Sequence, residues 1–102
     1  MAVEQQITIS FRYGLKDLSA LRQLSAKLNQ LLKDSALGEV DGHEVAVDLS
    51  HGFLYLYGPS AEAMFKGIKE LLLQVPFMKG ATVKLKFKDG SDDYPEFEVE
   101  LD

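Results

Sequence analysis

The chain has 102 residues, 46% of them hydrophobic and 26% charged, with no cysteine. That is the size of one small domain with an ordinary globular composition, which excludes disordered, collagen-like and fibrous classes. The missing cysteine excludes a disulfide framework, thiolate metal sites, iron–sulfur clusters and cysteine nucleophiles.

The formal net charge of −5 is uneven along the chain. Of the 16 acids, seven fall in residues 89–102, which hold no Lys or Arg, so the rest of the chain sets nine acids against all 11 bases. A nearly balanced body with one acidic end disfavours bulk attraction to nucleic acid, and no DNA partner is expected. Residues Met1 to Gln6 show no basic region leading into an apolar one. No apolar run approaches the ~20 residues of a bilayer span. A cytoplasmic protein without membrane association is therefore expected.

Residues 3–13 alternate, with Val3, Ile7, Ile9, Phe11 and Tyr13 on one side and Glu4, Gln6, Thr8, Ser10 and Arg12 on the other, as in a half-buried strand. Gly14 ends it. Asp17 or Ser19 is placed to cap a helix whose Leu18, Leu21, Leu24, Leu28, Leu31 and Leu32 recur at three- and four-residue spacing and which ends before Gly38. Two short strands are then predicted, His43 to Leu49 and Phe53 to Tyr57, joined by a tight turn at Ser50-His51-Gly52. If Val45, Val47 and Leu49 face the core beside Leu54 and Leu56, then Glu44, Ala46 and Asp48 share the other face with Phe53, Tyr55 and Tyr57.

Gly58-Pro59-Ser60 opens a second helix with Ala61, Met64, Phe65, Ile68, Leu71, Leu72 and Val75 on one stripe, stopped by Pro76. Thr82 to Lys88 and Pro95 to Asp102 both alternate, apolar residues against lysines in one and against glutamates in the other. Pairing Phe87 with Phe97, Leu85 with Val99 and Val83 with Leu101 sets Lys88, Lys86 and Lys84 opposite Glu96, Glu98 and Glu100. Such cross-strand ion pairs contribute only ~0.2–1 kcal/mol each and mainly fix register.

The order is βαββαβ with one strand appended, an α+β ferredoxin-like arrangement in a single domain over residues 1–102. Right-handed crossovers predict the sheet order 2-3-1-4-5 with both helices on one face. The other face then carries Phe53, Tyr55 and Tyr57, three aromatics that call for a partner. The expected function is a non-enzymatic protein-binding module. Phe53, Tyr55 and Tyr57 serve as apolar anchors, Arg12 as a directional donor, and Glu44 and Asp48 as a charged rim. The partner is another protein or a second copy in a homodimer.

Two resemblances bear on this expectation. His51-Gly52-Phe53-Leu54-Tyr55-Leu56-Tyr57 resembles the RNP1 strand of RNA recognition motifs, a basic residue and Gly followed by alternating aromatics that stack bases. His51 stands where that motif has Lys or Arg, Ile7 to Phe11 lacks the matching aromatic on the open face, and acids flank the platform, so RNA is not the expected partner and stands only as a remote alternative. More broadly, Gly38-Glu39-Val40-Asp41-Gly42-His43-Glu44, Leu54-Tyr55-Leu56-Tyr57-Gly58-Pro59-Ser60-Ala61 and Pro76-Phe77 together resemble a family of small bacterial ferredoxin-like proteins. That resemblance implies a fold and a bacterial origin. In size and charge the chain also looks like immunity proteins, which block a toxin's active site.

Glu39, Asp41, His43, Glu44, Asp48 and His51 are the densest set of potential metal ligands, and in an extended segment Glu39, Asp41 and His43 share one side. Their spacing matches no ligand motif, and a polar entry to an edge strand accounts for them, so neither metal nor cofactor is expected. No serine sits in a nucleophile-elbow frame, and no catalytic residues are assigned. Gly58-Pro59-Ser60 reads as a helix cap rather than a phosphate cradle. The alternative functions are a small-ligand regulatory domain using the Tyr13-Gly14-Leu15 turn at a dimer edge, and a metal-assisted hydrolase.

Overall fold

The computed structural model describes residues 5–86 and 96–101. Strand β1 spans Gln5–Arg12, helix α1 Ser19–Asp34, β2 Glu39–Val45, β3 His51–Gly58, α2 Ala61–Leu73, β4 Thr82–Lys86 and β5 Glu96–Glu100, with a 3-10 turn at Pro76–Met78. All strand pairings are antiparallel, and the sheet order is β2-β3-β1-β4-β5. This is the ferredoxin-like βαββαβ sandwich with a fifth strand. The expected places of Val3, Glu4, Phe87, Lys88, Pro95 and Asp102 lie outside the described residues.

The odd-numbered face of β1, with Ile7, Ile9 and Phe11, meets Leu54 and Leu56 of β3 and Val83 and Leu85 of β4 in one buried cluster. Onto it close Leu21, Leu24, Leu28 and Leu32 of α1 and Met64, Ile68 and Leu72 of α2. Fully burying such a side chain contributes ~1.5–3 kcal/mol, so the leucine stripe of α1 outweighs any cap. Asp17 folds onto the helix start, its carboxylate accepting from the backbone N–H of Ser19 at 2.9 Å, while Leu18 occupies the cap position. The Tyr13 hydroxyl donates to the Asp17 carbonyl and accepts from Leu21 N–H, tying the end of β1 to the helix.

The N-terminus of α2 is satisfied twice over. Ser60 Oγ accepts from Ala63 N–H, and Gln5 Oε1, reaching across from β1, accepts from Ala61 N–H at 2.7 Å. These amides are therefore occupied, as a cap requires. A Cβ on Gly58 would collide with the Leu37 carbonyl oxygen and one on Gly38 with the Tyr57 carbonyl oxygen, so the two glycines let the α1–β2 loop press against the end of β3.

Two expectations are corrected. β2 begins at Glu39 and ends at Val45, so Val47, Asp48 and Leu49 belong to the turn and Val47 is fully exposed. His51 and Gly52, expected in the turn, open β3 instead. The cause is turn chemistry: Asp48 Oδ1 accepts from both Ser50 N–H and Ser50 Oγ, and Leu49 takes a left-handed backbone with φ 61°. Leu49 still packs on the core, from a turn rather than a strand.

The β4–β5 register is shifted by two residues. Val83 faces Val99, Leu85 faces Phe97, Lys84 faces Glu98 and Lys86 faces Glu96. Leu101 sets this register, donating its N–H to Ala81 O and accepting from Gly80 N–H, both at 2.8 Å, and burying its side chain. A shift of two preserves the faces, which is why alternation alone does not detect it.

Candidate functional site

The sheet face that carries the even-numbered residues of β1 and β4 and the odd-numbered residues of β3 has no helix over it. Its side chains line up in rows across the strands. One row runs Glu44, Phe53, Ser10, Thr82, Glu100; the next Gly42, Tyr55, Thr8, Lys84, Glu98; the third Glu39, Tyr57, Gln6, Lys86, Glu96. Read by columns, β2 is acidic, β3 is an aromatic ridge, β1 is a floor of small or slender polar residues, and β4 brings lysines. Between ridge and lysines lies a shallow trough of about 530 Å³ over Thr8 and Ser10.

The ridge is ordered by its own rings. Phe53 and Tyr55 stack with centroids 6.4 Å apart and planes 17° from parallel, and the His51 ring stands edge-on to Phe53. Burial raises the Tyr55 phenol above its ordinary value, and the neighbouring Glu44 carboxylate raises it further. On the far side Lys84 sits 3.4 Å from Glu96 and 3.5 Å from Glu98, and these carboxylates hold its ammonium charged to higher pH than usual.

Of the expected interface residues, the structure brings Phe53, Tyr55, Tyr57, Glu44 and Arg12 to this face, Arg12 at its rim opposite His51. Asp48 is the correction: it lies in the β2–β3 turn and is engaged by Ser50, which holds its carboxyl below the usual range. Glu39, Asp41 and His43 do not share a side. A bulge between Val40 and Gly42 turns Glu39 to the open face, opposite Tyr57, and His43 to the helix face, opposite Leu54. Asn29 of α1 holds this irregular backbone, its Oδ1 accepting from Val40 N–H at 3.1 Å. Among the described residues no three His, Asp or Glu side chains gather as a metal would require.

The Tyr13-Gly14-Leu15 turn is on the helix side, with Tyr13 buried and Leu15 at the mouth of an apolar cavity of about 290 Å³ between the helix ends. Gly52 has a packing reason for being glycine: a Cβ there would meet the Glu44 carbonyl oxygen at 2.9 Å and the Phe11 ring at 3.0 Å. The smallness of Thr8 and Ser10 beside the ridge, and the place of Lys79 near Arg12 and His51, did not emerge from the sequence. Alternation assigns a face but not the relief of that face, and Lys79 sits in a loop without periodicity.

The chain matches no protein-family model, and no curated protein or solved structure is significantly similar to it. Among the described residues no helix is long and apolar enough to cross a membrane.

Proposed function

We propose that the protein is a non-enzymatic binding module whose open sheet face pairs with the same face of a second copy. The observation that carries this is the aromatic ridge on β3 lying directly beside a trough on β1. A two-fold axis parallel to the strands and between β1 and β3 lays each ridge into the other copy's trough: Phe53 over Ser10, Tyr55 over Thr8, Tyr57 over Gln6. Sheets packed face to face sit ~10 Å apart, a gap that a large side chain over a small one fills. An axis perpendicular to the strands sets aromatics against aromatics and leaves the trough empty.

The same axis maps β2 onto β4 of the other copy. Glu39 then faces Lys86, so the acidic and basic columns complement each other in both halves of the dimer. The four overlapping strands at ~4.8 Å each and about six residues at ~3.3 Å give a face of roughly 19 by 20 Å. That is small against the ~800 Å² per partner of a standard interface. The dimer is therefore expected in about the micromolar range of dissociation constants.

Sedimentation equilibrium over a hundredfold concentration range tests the reading. The wild type is expected to pass from monomer to dimer, and Tyr55→Ala to remain monomeric with its folding midpoint little changed. A wild type that stays monomeric at millimolar concentration, or a Tyr55→Ala variant that dimerises equally well, contradicts it, and a monomeric wild type directs the search to a different protein partner.

A further inference from the structure

We propose that the Arg12 end of the open face is an oxyanion site for a sulfate or phosphoryl group. The proposal goes beyond self-pairing, since one copy supplies every group. A cavity of about 390 Å³ lies at the ends of β1 and β3 and is lined by Arg12, His51, Lys79, Ser10 and Thr82 among others. Its three basic side chains come from three separate segments: β1, β3 and the loop before β4. No acid lines it among the described residues, although acids outnumber bases in the chain as a whole. Arginine offers a planar fork of donors, lysine a mobile ammonium and the two hydroxyls further donors, a set that suits a tetrahedral anion approached from several sides.

The state of His51 follows from its neighbours. Ser50 Oγ lies 2.7 Å from Asp48 Oδ1, which as a carboxylate only accepts, so the hydroxyl proton is spent there. Ser50 Oγ therefore accepts from His51 Nδ1–H at 3.0 Å, which fixes how the ring is held at the edge of the cavity. The charged groups around the ring are Arg12 from β1, Lys79 from the loop before β4, and Asp48 acting through Ser50 from the β2–β3 turn.

Within the proposed dimer, Arg12 of each copy faces His51 of the other, so the two cavities adjoin and an anion between them would also tighten pairing. That second effect rests on the self-pairing reading, so the site itself is tested on the Tyr55→Ala chain. The test is an NMR titration of 15N-labelled Tyr55→Ala protein with sodium sulfate, matched in ionic strength against sodium chloride.

The expected result is saturable shifts at Lys79, Gly80 and the Arg12 side chain, with a dissociation constant of about a millimolar. Binding should be weaker by about tenfold in Arg12→Gln and in Lys79→Gln. Shifts that chloride reproduces, or an affinity that both the Arg12 and Lys79 variants leave unchanged, overturn the proposal. Inorganic phosphate and phenyl phosphate then separate the sources: tighter binding of the ring compound marks a phosphorylated small molecule resting on Phe53, and weaker binding marks the free anion. Failure of the site in this chain leaves self-pairing untouched, and failure of self-pairing leaves the site intact.

Discussion

Tyr55 is where the chemistry of the open face concentrates. Its ring stacks on Phe53, its phenol is pushed up first by burial and then by Glu44, and across the strand it faces Thr8. Because its folded value lies above the unfolded one, folding resists ionisation of the phenol. The associated stability is intact below the ordinary tyrosine range near pH ~10 and is lost as pH rises through the folded value. Removing the neighbouring charge with Glu44→Gln should lower the Tyr55 titration while burial keeps it above the ordinary value. Ultraviolet titration of that variant, with Tyr55→Phe used to single out the relevant phenol, checks this; an unmoved titration would show that Glu44 does not act on Tyr55. The sequence placed Glu44 and Tyr55 on one face through a register in which Asp48 joined them. The structure keeps the first pair and removes Asp48, since two hydrogen bonds to Ser50 make it a turn former.

At the level of elements, alternation and helical spacing revealed β1, β3, both helices and the strand order, because each of those segments buries one continuous apolar face. β2 was misplaced by several residues because its apolar face is thin: Val40 and Val45 only partly bury, and Gly42 follows a bulge. With little burial to fix it, local hydrogen bonding decides where that strand lies, and Asn29 is the α1 side chain that supplies it. Asn29→Ala should therefore destabilise the fold by about 1 kcal/mol despite alanine's better helix propensity, because Val40 N–H loses its acceptor. Urea denaturation measures this against Gln30→Ala, whose exposed bond to Asp34 should matter by less than about 0.5 kcal/mol. Equal midpoints for the two variants would mean that the Asn29 bond does not hold the bulge. The two-residue shift of β5 has a similar origin, in Leu101 finding a buried place beside Ala81 that periodicity along the strand does not encode.

Across the whole molecule, the fold divides the sheet into a face sealed by two helices and a face whose relief and charge both alternate by column. β2 is acidic, β3 aromatic, β1 small and β4 basic, an order that becomes self-complementary under a two-fold axis along the strands. Glu96 and Glu98 temper this field from the β5 edge, both drawn to Lys84, and Glu98 lines the far side of the trough. Charge exchange across the proposed axis tests the central claim most directly. Glu39→Lys alone brings two ammonium groups together at each of two places in the dimer, and Lys86→Glu alone does the same with two carboxylates. A mixture of the two variants restores an attractive pair at both places. At low salt each variant alone should dimerise about tenfold more weakly than the wild type. An equimolar mixture, followed by sedimentation or by energy transfer between labelled chains, should recover wild-type affinity as a heterodimer. Variants that self-associate like the wild type, or a mixture that gains nothing over its components, would contradict pairing through this face about this axis.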